Sequence, residues 1–148
     1  MIERFQYYLE NDLVRKGSVD KGEAEALMNK AEGRLNFSIK TREINENTSS
    51  YIFEDIYECL REAAQALMSL KGYKPYSHEA LISFLRELFN FPESDIISFD
   101  RYRILRNKTI YKGEKVSAAV CKEALSFLLK FLPKLKEEFV KSNIFLEK

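Results

Sequence analysis

Apolar side chains recur every three to four residues along most of the chain, which is the spacing of one face of an α-helix. The first helical segment is short and covers residues 2–16. After the break KGSVD, Asp20 and Glu23 predict a capping box that begins a long amphipathic helix. The apolar stripe of that helix consists of Ala24, Leu27, Met28, Ala31, Leu35 and Ile39.

A second long helix follows the polar stretch TREINENTSS and ends near Lys71 and Gly72, since a glycine is typical just past a helix end. The loop GYKPYS then leads to Ser77, a candidate N-cap for a shorter helix that Pro92 ends. The stripe of the long helix is Ile52, Ile56, Leu60, Ala63, Leu67 and Leu70, and that of the shorter one is Leu81, Ile82, Leu85, Leu88 and Phe89.

The next predicted helix runs from about Ile97 to Tyr111, and Gly113 supplies the turn after it. Ser117 opens the last long helix, in which Pro133 is expected to produce a kink or a break because it removes a backbone donor. No segment shows the alternation typical of a strand. The predicted fold class is therefore all-α, an antiparallel up-and-down bundle of about five to six helices in a single domain spanning residues 1–148. The stripe of the last helix is Val120, Ala124, Leu128, Phe131 and Leu135.

Composition supports one ordinary core, because 45% of the 148 residues are apolar. The 24 Lys and Arg nearly balance the 23 Asp and Glu, so the net charge is +1. This excludes the overall basicity of a typical nucleic-acid binder but leaves a local basic patch open. Cys59 and Cys121 are predicted to be buried free thiols in a reducing cytosol, ahead of a disulfide or a reactive thiol.

A single histidine leaves almost no ligands for a zinc site, and neither a metal nor another cofactor is expected. The chain also lacks an apolar run of membrane-spanning length, and its charged N-terminus is unlike a signal peptide. We therefore expect a cytoplasmic protein without a membrane partner.

Candidate chemistry is concentrated in the segment DRYRILRNKTIYKG. Arg103 and Arg106 are three residues apart and lie on nearly the same helix face. Two guanidiniums at this spacing can hold a phosphate by charge-assisted hydrogen bonds, and Asn107 can add a donor or an acceptor. A solvated pair, or a pair engaged in salt bridges within the chain, explains the same spacing, so the residues alone leave both interpretations open.

Three stretches resemble the HEPN family of small all-helical archaeal and bacterial domains: DKGEAEALMNKAEGRLNFS, YIFEDIYECLREAAQALMSLKGYKPYSHEALISFL and YRILRNKTIYKGEKVS. The similarity covers roughly residues 18–140. The family signature is an arginine followed four to six residues later by a histidine, often with a polar residue directly after the arginine. On this chain Arg106 and Asn107 take the first two positions, and the histidine position falls on Tyr111.

The resemblance implies a homodimer, because active HEPN members are metal-independent ribonucleases in which two copies of the motif face each other across a dimer cleft. The helix Ile97 to Tyr111 would lie near the two-fold axis, with Tyr102 and Leu105 as apolar contacts. Many such proteins are encoded beside a minimal nucleotidyltransferase, with which they form toxin–antitoxin pairs. A nucleotidyltransferase is accordingly a candidate partner, as are RNA and nucleotides.

Tyr111 changes the expected chemistry, since a phenol with a pKa near ~10 moves protons poorly at neutral pH whereas imidazole, near ~6.5, does so well. We expect a weakly active or inactive protein of a toxin–antitoxin or defence-type system, in which Arg103, Arg106, Asn107 and Tyr111 bind RNA, a nucleotide or a partner protein. The alternatives are an active endoribonuclease toxin that uses Arg106, Asn107 and Tyr111, and a regulatory partner of a nucleotidyltransferase. His78 starts a different helix and is predicted to be a capping or surface residue without a catalytic role.

Overall fold

The computed structural model describes residues 2–147, and within that range the chain forms six α-helices and one two-stranded sheet. The predicted helical bundle is thus confirmed. The helices are α1 (Phe5–Glu10), α2 (Lys21–Arg34), α3 (Ser49–Leu70), α4 (His78–Leu88), α5 (Glu93–Lys112) and α6 (Ala118–Glu147), and the strands are β1 (Val14–Lys16) and β2 (Tyr73–Pro75). A π-helical turn, Leu35–Ile39, extends α2.

Helix α3 forms the centre of the bundle. Helices α2 and α6 pack along it, and α4 and α5 contact its remaining surface. All six residues of its predicted stripe are buried, together with residues of its other faces such as Phe53, Tyr57, Ala64 and Met68. A helix that is apolar on one face only would leave those other positions in solvent. Here the neighbouring helices cover nearly the whole of α3, and it becomes the main source of core contacts.

The start of α2 confirms half of the predicted capping box. The Asp20 carboxylate accepts a hydrogen bond from the Glu23 backbone N–H at 2.9 Å. The backbone N–H of Asp20, however, donates to the Ser69 carbonyl at 3.1 Å, at the end of α3. This capping residue therefore also joins α2 to α3.

The N-terminal prediction was wrong in its extent. Helix α1 ends at Glu10, and the chain then enters β1, which pairs antiparallel with β2. Arg15 lies opposite Lys74 in this register. Strands of three residues are too short to display a period-two pattern, so no periodicity in the chain predicts them. The sheet ends at Gly72, whose backbone has φ +81° and whose carbonyl accepts from Gly17.

The start of α4 and the end of α5 follow the predicted signals, but α4 ends at Leu88, before Pro92, so Phe89 lies outside the helix and Leu88 is exposed. Ser77 caps α4 by accepting from the backbone N–H groups of Glu79 and Ala80. Helix α5 starts at Glu93, directly after Pro92, and is thus longer than predicted. It ends at Gly113, whose φ of 67° is a left-handed conformation that favours glycine.

The connection from α5 to α6 is tied to the start of α3. The Ser49 hydroxyl donates to the Val116 carbonyl at 2.6 Å, and the Val116 N–H donates to the Ser50 hydroxyl at 2.8 Å. These two bonds satisfy the backbone of a connection that has no regular structure. They also fix where α6 begins relative to α3.

Helix α6 continues through Pro133, so the break considered for this position does not occur. No helix within residues 2–147, α6 included, is both long and apolar enough to cross a membrane. Cys59 and Cys121 are buried free thiols, as predicted. Burial raises the pKa of Cys59 to about 12 and that of Cys121 to about 11.

We expect Leu60→Ala and Leu128→Ala each to lower the free energy of unfolding by about 2 to 5 kcal/mol, because each removes a fully buried aliphatic side chain. Urea unfolding followed by circular dichroism measures the change. Leu129→Ala, at an exposed neighbouring position, is the matched control and should cost less than about 1 kcal/mol. If Leu60→Ala and Leu128→Ala both lowered the free energy of unfolding by less than about 1 kcal/mol, the assignment of these leucines to the core would be wrong.

Candidate functional site

Arg106 is the centre of the candidate site. Its side chain is only 16% exposed, and its guanidinium lies over the ring of Tyr57 at 5.7 Å from the centroid. Its polar contacts are long: Nη2 is 3.9 Å from Glu58 Oε1, and Nη1 donates to Asn107 Oδ1 at 3.4 Å. Within residues 2–147, the buried Nε has no hydrogen-bond partner. The five N–H donors of this guanidinium are therefore poorly satisfied inside the chain.

Arg103, one turn earlier on α5, is in a different situation. It is 8% exposed, its Nε donates to Asp100 at 2.7 Å, and its Nη1 lies 3.5 Å from Glu79. Both acidic groups belong to the same chain, so its charge is already compensated. The structure thus separates two arginines that the sequence grouped together: Arg103 joins α5 to α4, and Arg106 keeps unused donors.

The floor of the site is a polar strip on α3. The Glu58 carboxylate accepts from Arg61 Nε at 3.0 Å and from Nη2 at 2.8 Å, and Arg61 Nη1 donates to Gln65 at 2.6 Å. Burial acts to raise the pKa of Glu58, but the hydrogen bonds and charge of Arg61, with the charge of Arg106, hold it below its ordinary value. Glu58 is therefore a carboxylate that Arg61 engages closely and Arg106 only loosely.

His78 lies in this site, contrary to the prediction of a capping or surface histidine. Its Nδ1 is 2.7 Å from the Tyr57 hydroxyl, and the planes of the two rings are nearly parallel. Ser77 provides the cap instead. Partial burial, followed by the positive charges of Arg106 and Arg61, lowers the pKa of His78 to about 4. The missed signal was Tyr57: a tyrosine on the buried side of α3 needs a hydrogen-bond partner for its hydroxyl.

Tyr111 is not brought to Arg106 within one chain. Five residues along an α-helix correspond to a rotation of about 140° around the axis, so the two side chains leave α5 in different directions. Tyr111 is 75% exposed, whereas Arg106 points toward α3. Asn107 is half-buried and adjoins Arg106 directly. Of the four predicted binding residues, only Arg106 and Asn107 are together and have free hydrogen-bonding capacity.

The expected dimer contacts also need correction. Tyr102 is 2% exposed and packs in the core against Phe53 and Phe127, so its surface is not available to a second subunit. Leu105 is half-buried against the same core. The exposed apolar residues of α5 are others, and three of them form a line along the helix at a spacing of seven residues: Ile97, Ile104 and Tyr111.

Among the residues that the structure describes, no group of three or more His, Cys, Asp or Glu is placed to hold a metal ion. A scan against protein-family models, a search of curated proteins and a search of solved structures each gave no match. Evidence for the function therefore comes from the site itself. Its chemistry is that of a cation with unused donors beside a neutral imidazole.

The low pKa of His78 predicts a loss of stability in mild acid. In the unfolded chain an ordinary histidine takes up a proton near pH ~6.5, while in the fold it resists protonation until about pH 4. Stability is therefore full above pH ~6.5 and falls toward pH 4, by about 1 to 3 kcal/mol from this group. Urea unfolding at pH 7 and pH 4.5 measures it, with His78→Gln as the reference. If the wild type and His78→Gln lost the same free energy of unfolding between pH 7 and pH 4.5, the assignment of His78 as a buried neutral histidine would be wrong.

Proposed function

We propose that this protein binds the phosphate of RNA or of a nucleotide at Arg106 and Asn107, and holds the ligand without cleaving it. The observation that carries the proposal is the Arg106 guanidinium, which is mostly buried and has a Nε without a partner among residues 2–147. The remaining N–H groups of this guanidinium make only long contacts inside the chain, Nη2 to Glu58 at 3.9 Å and Nη1 to Asn107 at 3.4 Å, so they can donate to an anion with several oxygens.

The remaining contacts of Arg106 suit an anion. Stacking on Tyr57 needs none of the N–H donors, so they stay available for phosphate oxygens. Glu58, the nearest acid, is already bonded to Arg61 and lies 3.9 Å from Arg106. Asn107 presents an amide next to the same guanidinium. A phosphate can therefore join Arg106 without displacing a short ion pair.

Cleavage of RNA needs a group that exchanges protons near neutral pH. Tyr111 lies on another face of α5, and burial raises the pKa of the Tyr57 phenol. His78, with a pKa of about 4, is neutral at pH 7 and already bonded through Nδ1. These properties support binding over catalysis.

We also propose that two copies pair through α5. If two α5 helices pack antiparallel about Ile104, Ile97 of one copy faces Tyr111 of the other. In the same register Asp100 faces Lys108, an attractive pair of charges. Asn107 adjoins the exposed line, so each copy's site lies beside the interface. The resemblance to the HEPN family supports this arrangement, and it also makes a minimal nucleotidyltransferase a candidate partner that co-purification can test.

Arg106→Ala should weaken binding of a fluorescein-labelled oligoribonucleotide by about 1.5 to 3 kcal/mol, because it removes charge-assisted hydrogen bonds. Fluorescence anisotropy at fixed salt measures the affinity. The matched control is Arg101→Ala: Arg101 is an exposed arginine of the same helix, paired with Glu123. Equal losses in the two variants would mean nonspecific attraction.

The same samples test the alternative. Incubated with labelled RNA and EDTA, the wild type should leave the RNA intact. Cleavage that disappears in Arg106→Ala would establish a metal-independent endoribonuclease and overturn the proposal of binding alone.

Ile104→Glu should convert a dimer into a monomer, because it places a charge at the centre of the proposed contact. Sedimentation velocity at tens of micromolar measures the state. Val140→Glu, which changes an exposed apolar residue of α6, should leave the dimer intact. A monomeric wild type at these concentrations would eliminate the pairing.

A further inference from the structure

A pocket of about 160 Å³ adjoins the Arg106 site on the side of α4. Arg61 and His78 belong to both. They line the pocket, Arg61 donates hydrogen bonds to Glu58, and His78 is hydrogen-bonded to Tyr57, over whose ring the Arg106 guanidinium lies. Gln65, Tyr76 and Ser77 complete the polar part of the wall. The binding surface therefore does not end at Arg106 but continues past the Tyr57–His78 pair.

The hydrogen bond from Tyr57 defines the state of the His78 ring. Tyr57 is fully buried, and burial raises the pKa of its phenol, so the hydroxyl keeps its proton. A buried hydroxyl proton needs an acceptor, and His78 Nδ1 lies 2.7 Å away. Nδ1 is thus the acceptor, and the ring proton is on Nε2. His78 is a neutral imidazole with one N–H donor left.

We propose that His78 is a binding residue of the same site, donating its Nε2–H to the sugar or base of a nucleotide whose phosphate Arg106 holds. Tyr57 acts as a positioning residue that keeps the proton on Nε2. This inference rests on the proposed phosphate site and extends it from an anion to a nucleoside monophosphate unit.

Three features favour the sugar–base end over a second phosphate. A neutral donor pairs well with hydroxyl, carbonyl and ring-nitrogen acceptors but contributes no charge toward an anion. The pocket is smaller than the roughly 300 Å³ at which cavities for larger ligands begin, so it suits one sugar or base. Tyr76 is an exposed aromatic ring at the pocket, of the kind on which bases stack.

The chain contains a single histidine, so nuclear magnetic resonance can observe this ring without assignment. An untagged protein labelled with ¹⁵N-histidine is titrated with inorganic phosphate and with each of the four nucleoside 5′-monophosphates. Long-range ¹H–¹⁵N correlations should show the Nε2-protonated tautomer in the free protein. The Nε2 resonance should shift on adding at least one monophosphate and stay in place with inorganic phosphate. A Nδ1-protonated ring, or a Nε2 signal unmoved by all four monophosphates, would overturn the inference.

Affinities of variants separate this inference from the proposed function. His78→Phe should weaken the nucleoside monophosphate about threefold to tenfold, the effect of one neutral hydrogen bond, and leave inorganic phosphate unchanged. His78→Gln, which retains an N–H donor, should recover most of the affinity. Tyr57→Phe should give a mixture of imidazole tautomers and an intermediate loss.

Arg106→Ala provides the reference for these titrations. If it weakens both ligands while His78→Phe weakens neither, the phosphate site stands and the role of His78 is wrong. If Arg106→Ala weakens neither ligand, the proposed function itself is wrong. Equal weakening of both ligands by His78→Phe would place His78 at the phosphate and overturn its assignment to the sugar–base end.

Discussion

The burial of α3 is the constraint on which the rest of the molecule depends. Polar groups on a buried helix must find partners inside the protein, since water cannot reach them. Glu62, in the middle of α3, is 1% exposed and accepts two hydrogen bonds from Arg34 of α2, at 2.8 and 3.2 Å. The same arginine also bonds Asp55. The position of α2 is thereby fixed by charge as well as by apolar packing.

The candidate site arises from the same constraint about one turn earlier on α3. There Tyr57 and Glu58 need partners, and α4 and α5 supply His78 and Arg106. The two arginines differ in how well their charges are paired. Arg34 is held by two carboxylates at short distance, whereas among the described residues Arg106 has one distant carboxylate and an unpaired Nε. One pairing stabilises the fold, and the other leaves capacity for a ligand.

The sequence predicted the helices well because helix periodicity and capping signals are local. The stripe of α3, the N-cap Ser77 and the glycine end of α5 all lie where the pattern placed them. The site was harder to predict, since spacing reports which face of a helix a residue occupies but not which element packs there. Arg103 and Arg106 lie on nearly the same face of α5 because they are three residues apart, yet Asp100 and Glu79 compensate the charge of Arg103 only.

Tyr102 and His78 illustrate the same limit from two directions. The apolar character of Tyr102 predicts an interface residue, but Phe53 and Phe127 of the same chain pack against it. The position of His78 at a helix start predicts a cap, but its hydrogen-bond partner, Tyr57, lies 21 residues earlier on α3. Both outcomes depend on the arrangement of whole helices, for which no short motif exists.

The packing of α6 along α3 has a consequence for synthesis of the protein. Helices α2 and α3 are synthesised early and leave the ribosome before α6. One side of α3 packs against α6, which consists of residues 118–147. Until those residues emerge, that apolar surface has no cover, and nascent chains that expose such surfaces are prone to aggregate. An interruption of translation before α6 therefore yields a product in which α2, α4 and α5 can still pack on α3 but the side that α6 covers stays exposed.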